Sequence, residues 1–171
     1  MSFARADLDR LSTILAEAAD AEIMPRFRSL EDGGIREKTG ALDLVTDADE
    51  QGEWMIRDLC AKAFPNALFV GEESVARDKG LLDKIGSAEL AIIVDPIDGT
   101  SNFAWGMPLF GVMAAVVSKG ETVAGLIYDP VGQDWQKGLK GEGAWGESMH
   151  GYTRPLSVAK PDRLSEMTGL S

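Results

Sequence analysis

Three groups of carboxylates stand where apolar runs end. Gly71-Glu72-Glu73-Ser74 follows Ala67-Leu68-Phe69-Val70, and Asp95-Pro96-Ile97-Asp98-Gly99-Thr100 follows Ile92-Ile93-Val94. The third group is Asp43-Leu44-Val45-Thr46-Asp47. Strand ends are rigid places from which side chains can converge. Carboxylates brought together repel one another, and a bound divalent cation removes that cost. Cys60 is the only cysteine and His150 the only histidine, so no site can use either type in pairs. An all-oxygen donor set selects Mg²⁺, with Mn²⁺ or Ca²⁺ as structural substitutes.

The stretch Asp95 to Thr100 carries the most information. Pro96 fixes a turn in which Asp95 and Asp98 can face one point, and the Ile97 carbonyl is free to act as a further ligand. Gly99 allows close approach of the backbone to a ligand. Thr100-Ser101-Asn102 can open a short helix whose first N–H groups hold a phosphate. Carboxylate-bound cations beside an anion nest are what phosphate-ester hydrolysis requires.

The elements that must position these residues follow from periodicity. Leu8, Leu11, Leu15, Ala18 and Ile23 mark a helix that Pro25 ends or kinks. Polar, glycine-containing residues 29–40 read as a loop. Residues 42–45 lead into a second helix, with Asp47 and Glu50 in a capping arrangement and Met55, Leu59 and Ala63 as its apolar stripe up to Pro65. Beyond it come a short run at 67–70, a charged stretch at 76–88 with one short helix, and strands at 90–94, 111–117 and 122–128. Lys119-Gly120 makes a hairpin turn between the last two. Trp135 and Trp145 flank further turns, and 154–158 reads as a last strand. The expected fold is α+β, with two N-terminal helices packed on a mainly antiparallel sheet. Residues 1–158 form the metal-binding domain. Residues 159–171 are a tail or the start of a further α/β domain.

Composition narrows the function. Among 171 residues, 28 are acidic and 17 basic, giving a formal net charge of -11. That charge repels a phosphate backbone, so direct nucleic-acid binding is not expected. No apolar run reaches the roughly 18–20 residues of a membrane span, and no secretory signal is expected at the N-terminus. Residues 47–58 imitate an EF-hand loop only partly, with Gln51 and Asp58 at ligand positions, and they read as continuous helix. Lys38-Thr39 lacks P-loop spacing. Cys60 reads as a core residue and His150 as solvent-facing. Trp54, Trp135 and Trp145 belong to core or interface, and Trp105 lies where it could border the site.

Gly71-Glu-Glu-Ser74, Asp95-Pro-Ile-Asp-Gly-Thr-Ser-Asn-Phe103 and Asp43-Leu-Val-Thr-Asp47 resemble, in order and spacing, three motifs of the inositol monophosphatase family of lithium-sensitive, Mg²⁺-dependent phosphomonoesterases. The resemblance implies the N-terminal half of that family's αβαβα sandwich. It implies that Glu72, Asp95 and the Ile97 carbonyl bind a first cation, that Asp95 and Asp98 bind a second, and that Glu72 touches a third. Asp47 and Thr100, with Glu72, would activate water for in-line attack on a phosphate monoester. Asp98, Gly99, Thr100 and Ser101 would hold the phosphate. Lys38 matches a loop lysine near the site, and Glu73 supports it from behind. A cytoplasmic homodimer acting on a small phosphorylated metabolite is also implied. The family's C-terminal Trp-Asp motif, whose aspartate completes the second cation site, has no counterpart here. A catalytically incomplete metal-binding domain acting through a protein partner is therefore the alternative expectation.

Overall fold

The computed structural model describes residues 3–29, 35–40, 43–158 and 163. The expectation for 159–171 falls, apart from residue 163, outside the described residues.

Helix α1 (Arg5–Ala18) turns Leu8, Leu11, Leu15 and Ala18 inward, and all four are fully buried. Pro25 does not simply stop it. The helix widens into one π-helical turn at Ala19–Ile23 and tightens into a 3₁₀ turn at Met24–Arg26 before the chain extends at Phe27. Pro25 lies just after the junction of the two, where its missing N–H removes one bond from the continuous helical run.

The stretch read as a loop contains a strand. β1 (Ile35–Gly40) pairs antiparallel with β2 (Asp43–Thr46). Its sequence, IREKTG, has no apolar alternation, so only the pairing makes it a strand. Helix α2 (Asp47–Ala63) is capped by Thr46 and Asp49, not by Asp47 and Glu50. The Thr46 amide and hydroxyl donate to Asp49 Oδ2 at 2.8 and 2.5 Å. Its buried face is Ala48, Asp49, Gly52, Glu53, Ile56 and Cys60, one position off the expected stripe of Met55, Leu59 and Ala63, which is only partly buried. Cys60 is a core residue, and burial pushes its thiol up to about 12.

After α2 come β3 (Leu68–Gly71), α3 (Glu72–Arg77), α4 (Leu81–Ile85), β4 (Ala91–Asp98) and α5 (Thr100–Ala104). The one short helix expected in the charged stretch is α4, and α3 is a further short helix that begins in the Glu72 motif. Strands β5 (Gly111–Ser118), β6 (Glu121–Asp129), β7 (Asp134–Leu139), β8 (Gly143–Ser148) and β9 (Thr153–Leu156) follow. Strands β3 to β9 form one sheet in sequence order. β3 and β4 pair parallel, and every later pair is antiparallel. The Lys119-Gly120 turn joins β5 to β6, as expected.

One face of the sheet packs on α1 and α2 through Ile92, Val94, Val112, Val116 and Leu126. Trp135 and Trp145 lie in this core, with Trp135 stacked on Tyr128 at 4.2 Å, whereas Trp54 is 45% exposed. The other face is open. Across it the register aligns Ala115, Gly125, Gly138 and Ala144, which floor a groove of about 640 Å³. The two edges of the sheet end differently. Helix α4 packs against β3. β9 is four residues long and contains Arg154 and Pro155, the latter opposite Trp145.

Candidate metal and phosphate site

The parallel β3–β4 pair places the first two acidic motifs together. Gly71 is in register with Val94, so Glu72 and Asp95, one residue further on, emerge side by side. The C-terminal ends of parallel strands are where open sheets bind ligands. Both residues line one end of the groove on the open face. Burial pushes the Asp95 carboxyl up to about 7, the neighbouring Glu72 adds to it by charge and by a hydrogen bond, and Asp98 adds further.

The turn expected at Pro96 is instead a strand. β4 runs through to Asp98, with an irregularity in its pairing to β5 between Asp95 and Asp98. The Ile97 amide donates to Asp95 Oδ1 at 3.1 Å, and the Ile97 side chain is buried. The Ile97 carbonyl is not wholly free, because the Thr100 hydroxyl donates to it at 2.9 Å. A carbonyl has two lone pairs, so one remains for a cation.

Gly99 follows at φ 91°, the left-handed region. A Cβ there would also lie 2.9 Å from the Leu109 carbonyl oxygen, so glycine is required twice over. The chain then enters α5, with Thr100 first and Ser101 second. Phe103 of this helix is fully buried in a ring cluster with Phe27 and Phe110, at centroid distances of 5.6 and 5.0 Å. That cluster fixes α5, and with it the Thr100 hydroxyl. Trp105, just past α5, is 61% exposed.

The residues from α2 divide differently from expectation. Asp47 is exposed and accepts from Arg36 Nη2 at 2.8 Å. The same guanidinium reaches Glu50 at 2.9 Å. The carboxylate that meets Thr100 is Asp49, whose Oδ1 lies 3.1 Å from the Thr100 hydroxyl, so the one proton of that hydroxyl is shared between Asp49 and the Ile97 carbonyl. Asp49 is fully buried, and so is Glu53 one turn later. Glu53 accepts from the Glu73 amide at 2.6 Å and from the Ser74 amide and hydroxyl at 2.9 and 2.5 Å. Sequence reasoning missed both acids. Their signal was present: Asp49, Gly52, Glu53, Ile56 and Cys60 follow helical spacing on one face. Glu73, the next residue after Glu72, is buried. The side chains of Lys38 and Asp43 lie outside the described residues.

Burial pushes the Asp49 carboxyl up to about 6, against the pull of the Thr46 hydroxyl and amide and the Thr100 hydroxyl, with Glu73 pushing further up. The folded chain therefore holds this proton more tightly than the unfolded one. The group's contribution to stability is complete below about pH 4 and is lost as pH rises through about 6. Asp49→Asn, neutral throughout, should gain on the parent chain in urea-unfolding free energy between about pH 5 and about pH 8. A difference that stays constant over that range would contradict it.

The donor set of Glu72, Asp95, Asp98 and the Ile97 carbonyl is hard oxygen throughout, which fits Mg²⁺. Glu72 and Asp95 are already adjacent. Among the described residues, no three His, Cys, Asp or Glu side chains are gathered into a finished cage. No helix among them is long and apolar enough to cross a membrane.

The chain is similar to several known proteins. An inositol monophosphatase from Caulobacter vibrioides is 39% identical over 130 residues, which is 75% of this chain and 47% of that protein. A protein named Nus factor SuhB from Pasteurella multocida is 36% identical over 102 residues, 60% of this chain and 36% of that one. The crystal structure of the extragenic suppressor protein suhB from Bartonella henselae superposes with a TM-score of 0.73 at 29% identity, over 93% of this chain and 57% of that one. The chain thus spans about half the length, or less, of the curated relatives it matches. The sequence model of the inositol monophosphatase family matches residues 6–169, and the chain belongs to that family.

Proposed function

We propose that this chain carries the cation- and phosphate-binding part of a phosphomonoesterase that hydrolyses a small phosphorylated metabolite. The observation that carries the reading is the adjacency of Glu72 and Asp95 at the ends of parallel strands, next to the Gly99-Thr100 turn. Glu72, Asp95 and the Ile97 carbonyl would hold one Mg²⁺, and Asp95 and Asp98 would contribute to a second, with Glu72 within reach of a third. Bound Mg²⁺ would supply charge neutralisation for the phosphate and a lowered pKa for water.

The chain's own residues account for orientation and proton transfer. Backbone amides at Gly99, Thr100 and Ser101 offer donors to phosphate oxygens, next to the Asp98 carboxylate. The Thr100 hydroxyl is held between the Ile97 carbonyl and the Asp49 carboxylate. In that position it can orient a water molecule while Asp49 takes the proton through it. The role first expected of Asp47 therefore passes, in this proposal, to Asp49. Lithium inhibition and a homodimer belong to the same reading.

The test is phosphate release from a panel of inositol, sugar and nucleotide monophosphates, with Mg²⁺, with chelator, and with added Li⁺. Multiple turnover that needs Mg²⁺ and is suppressed by Li⁺ is the expected result. Cation binding with neither turnover nor affinity for any of these phosphates would overturn it in favour of a metal-binding, partner-recognising domain. Relatives named as Nus factors lend that second reading its support.

A further inference from the structure

Glu72 stands one step beyond the last ladder pair of β3 and β4, so the sheet itself does not fix it. What grips the chain at that point is Glu53. Its carboxylate reaches from α2 to the start of α3, with Oε2 accepting from the Glu73 amide and Oε1 from the amide and hydroxyl of Ser74. Those are the two residues that immediately follow Glu72. The side chain is fully buried, so water does not replace these donors.

Gly71 gives a second, independent sign. Its backbone sits at φ -99° and ψ 156°, open to any residue, so conformation does not demand glycine there. Space does. A Cβ on residue 71 would lie 2.2 Å from the Glu53 carboxylate carbon and 2.4 and 2.5 Å from its oxygens. Residues 71, 73 and 74 of the Gly71-Glu-Glu-Ser74 motif are thus shaped around Glu53, and residue 72 is the one left to face the groove.

We propose that Glu53 is a positioning residue for the Glu72 carboxylate, acting through the 71–74 backbone and setting the affinity of the cation site. The proposal rests on the reading that Glu72 is a cation ligand. Both Glu53 oxygens receive N–H donors, so an amide cannot replace the carboxylate. One end of a glutamine would present N–H to N–H. Groups that orient metal ligands typically change metal affinity by about 10–100-fold when altered.

Mn²⁺ is the probe, with free ion measured by electron paramagnetic resonance on the full chain. Glu53→Gln should weaken Mn²⁺ binding about tenfold. In a Glu72→Ala background the same change should have no further effect, because nothing remains to be positioned. An unchanged affinity on Glu53→Gln overturns the proposal. So does an equal loss in both backgrounds, which would mark a general structural role. If Glu72→Ala alone leaves Mn²⁺ binding intact, the ligand reading itself fails, which is a separate result. Should Glu53→Gln not fold by near-ultraviolet circular dichroism, Ser74→Ala carries the comparison. It removes one hydroxyl donor and should weaken Mn²⁺ binding by less than Glu53→Gln does, again only where Glu72 is present.

Discussion

Asp95→Asn should reduce Mg²⁺-dependent phosphate release by at least about a hundredfold. The residue sits near the end of β4 between Glu72 and Asp98, and its carboxyl feels both. Asparagine has nearly the same shape and can still accept the Ile97 amide through Oδ1, so the strand end keeps its local hydrogen bond. What is lost is a charge at the point where the proposed cations share a ligand. The substitution also relieves repulsion with Glu72, so the thermal midpoint without cation should hold or rise while activity disappears. Asp98→Asn should likewise remove turnover, from the exposed end of the same strand. Initial rates and melting curves on the same preparations check both parts. Turnover that survives Asp95→Asn would leave the proposed site without its central member.

The second large effect separates two acids that lie two residues apart. Asp49→Asn should lower kcat by about 10²- to 10⁴-fold, the range for removal of a positioned general base. Asp49 is fully buried and bonded to the Thr100 hydroxyl. An asparagine there still caps α2 through the Thr46 amide but cannot take up a proton. Asp47→Asn should stay within a few-fold of the parent rate. Its carboxylate is exposed and paired with Arg36, and surface ion pairs of that kind contribute about 0–1 kcal/mol. KM should move little in either variant, because neither carboxylate is placed on the phosphate. If Asp47→Asn proved the more damaging change, the Thr100–Asp49 contact would not be the one that matters.

The contrast between these two acids shows where the sequence was legible. The three carboxylate motifs could be read because each combines several constrained residues in a row. The helices, the β5–β6 hairpin and the mainly antiparallel sheet could be read because apolar period and turn residues agree. Asp49 and Glu53 could not be found by asking which acids end an apolar run, since both lie inside a helix. Their role comes from long-range hydrogen bonds, Asp49 to Thr100 and Glu53 to Ser74. Strand β1 was hidden for a related reason, since a polar ribbon beside a single partner has no alternation to display. The capping pair was displaced by one residue because Thr46, Asp47 and Asp49 all carry capping side chains, and only geometry chooses among them.

The way the sheet ends has a consequence for how concentrated solutions of the protein behave. A sheet edge invites another chain to add a strand, which is the first step toward fibrils. Helix α4 packs against β3, and at the β9 side Pro155 withholds a donor N–H from a short ribbon that also carries the charged Arg154. Self-association by strand addition is therefore discouraged at the β9 end. Clustering at high concentration is left to the open, small-residue face, where molecules meet through side chains and where the net charge of -11 holds them apart. Such clusters would disperse on dilution and grow with added salt, as colloidal association does and ordered fibrils do not.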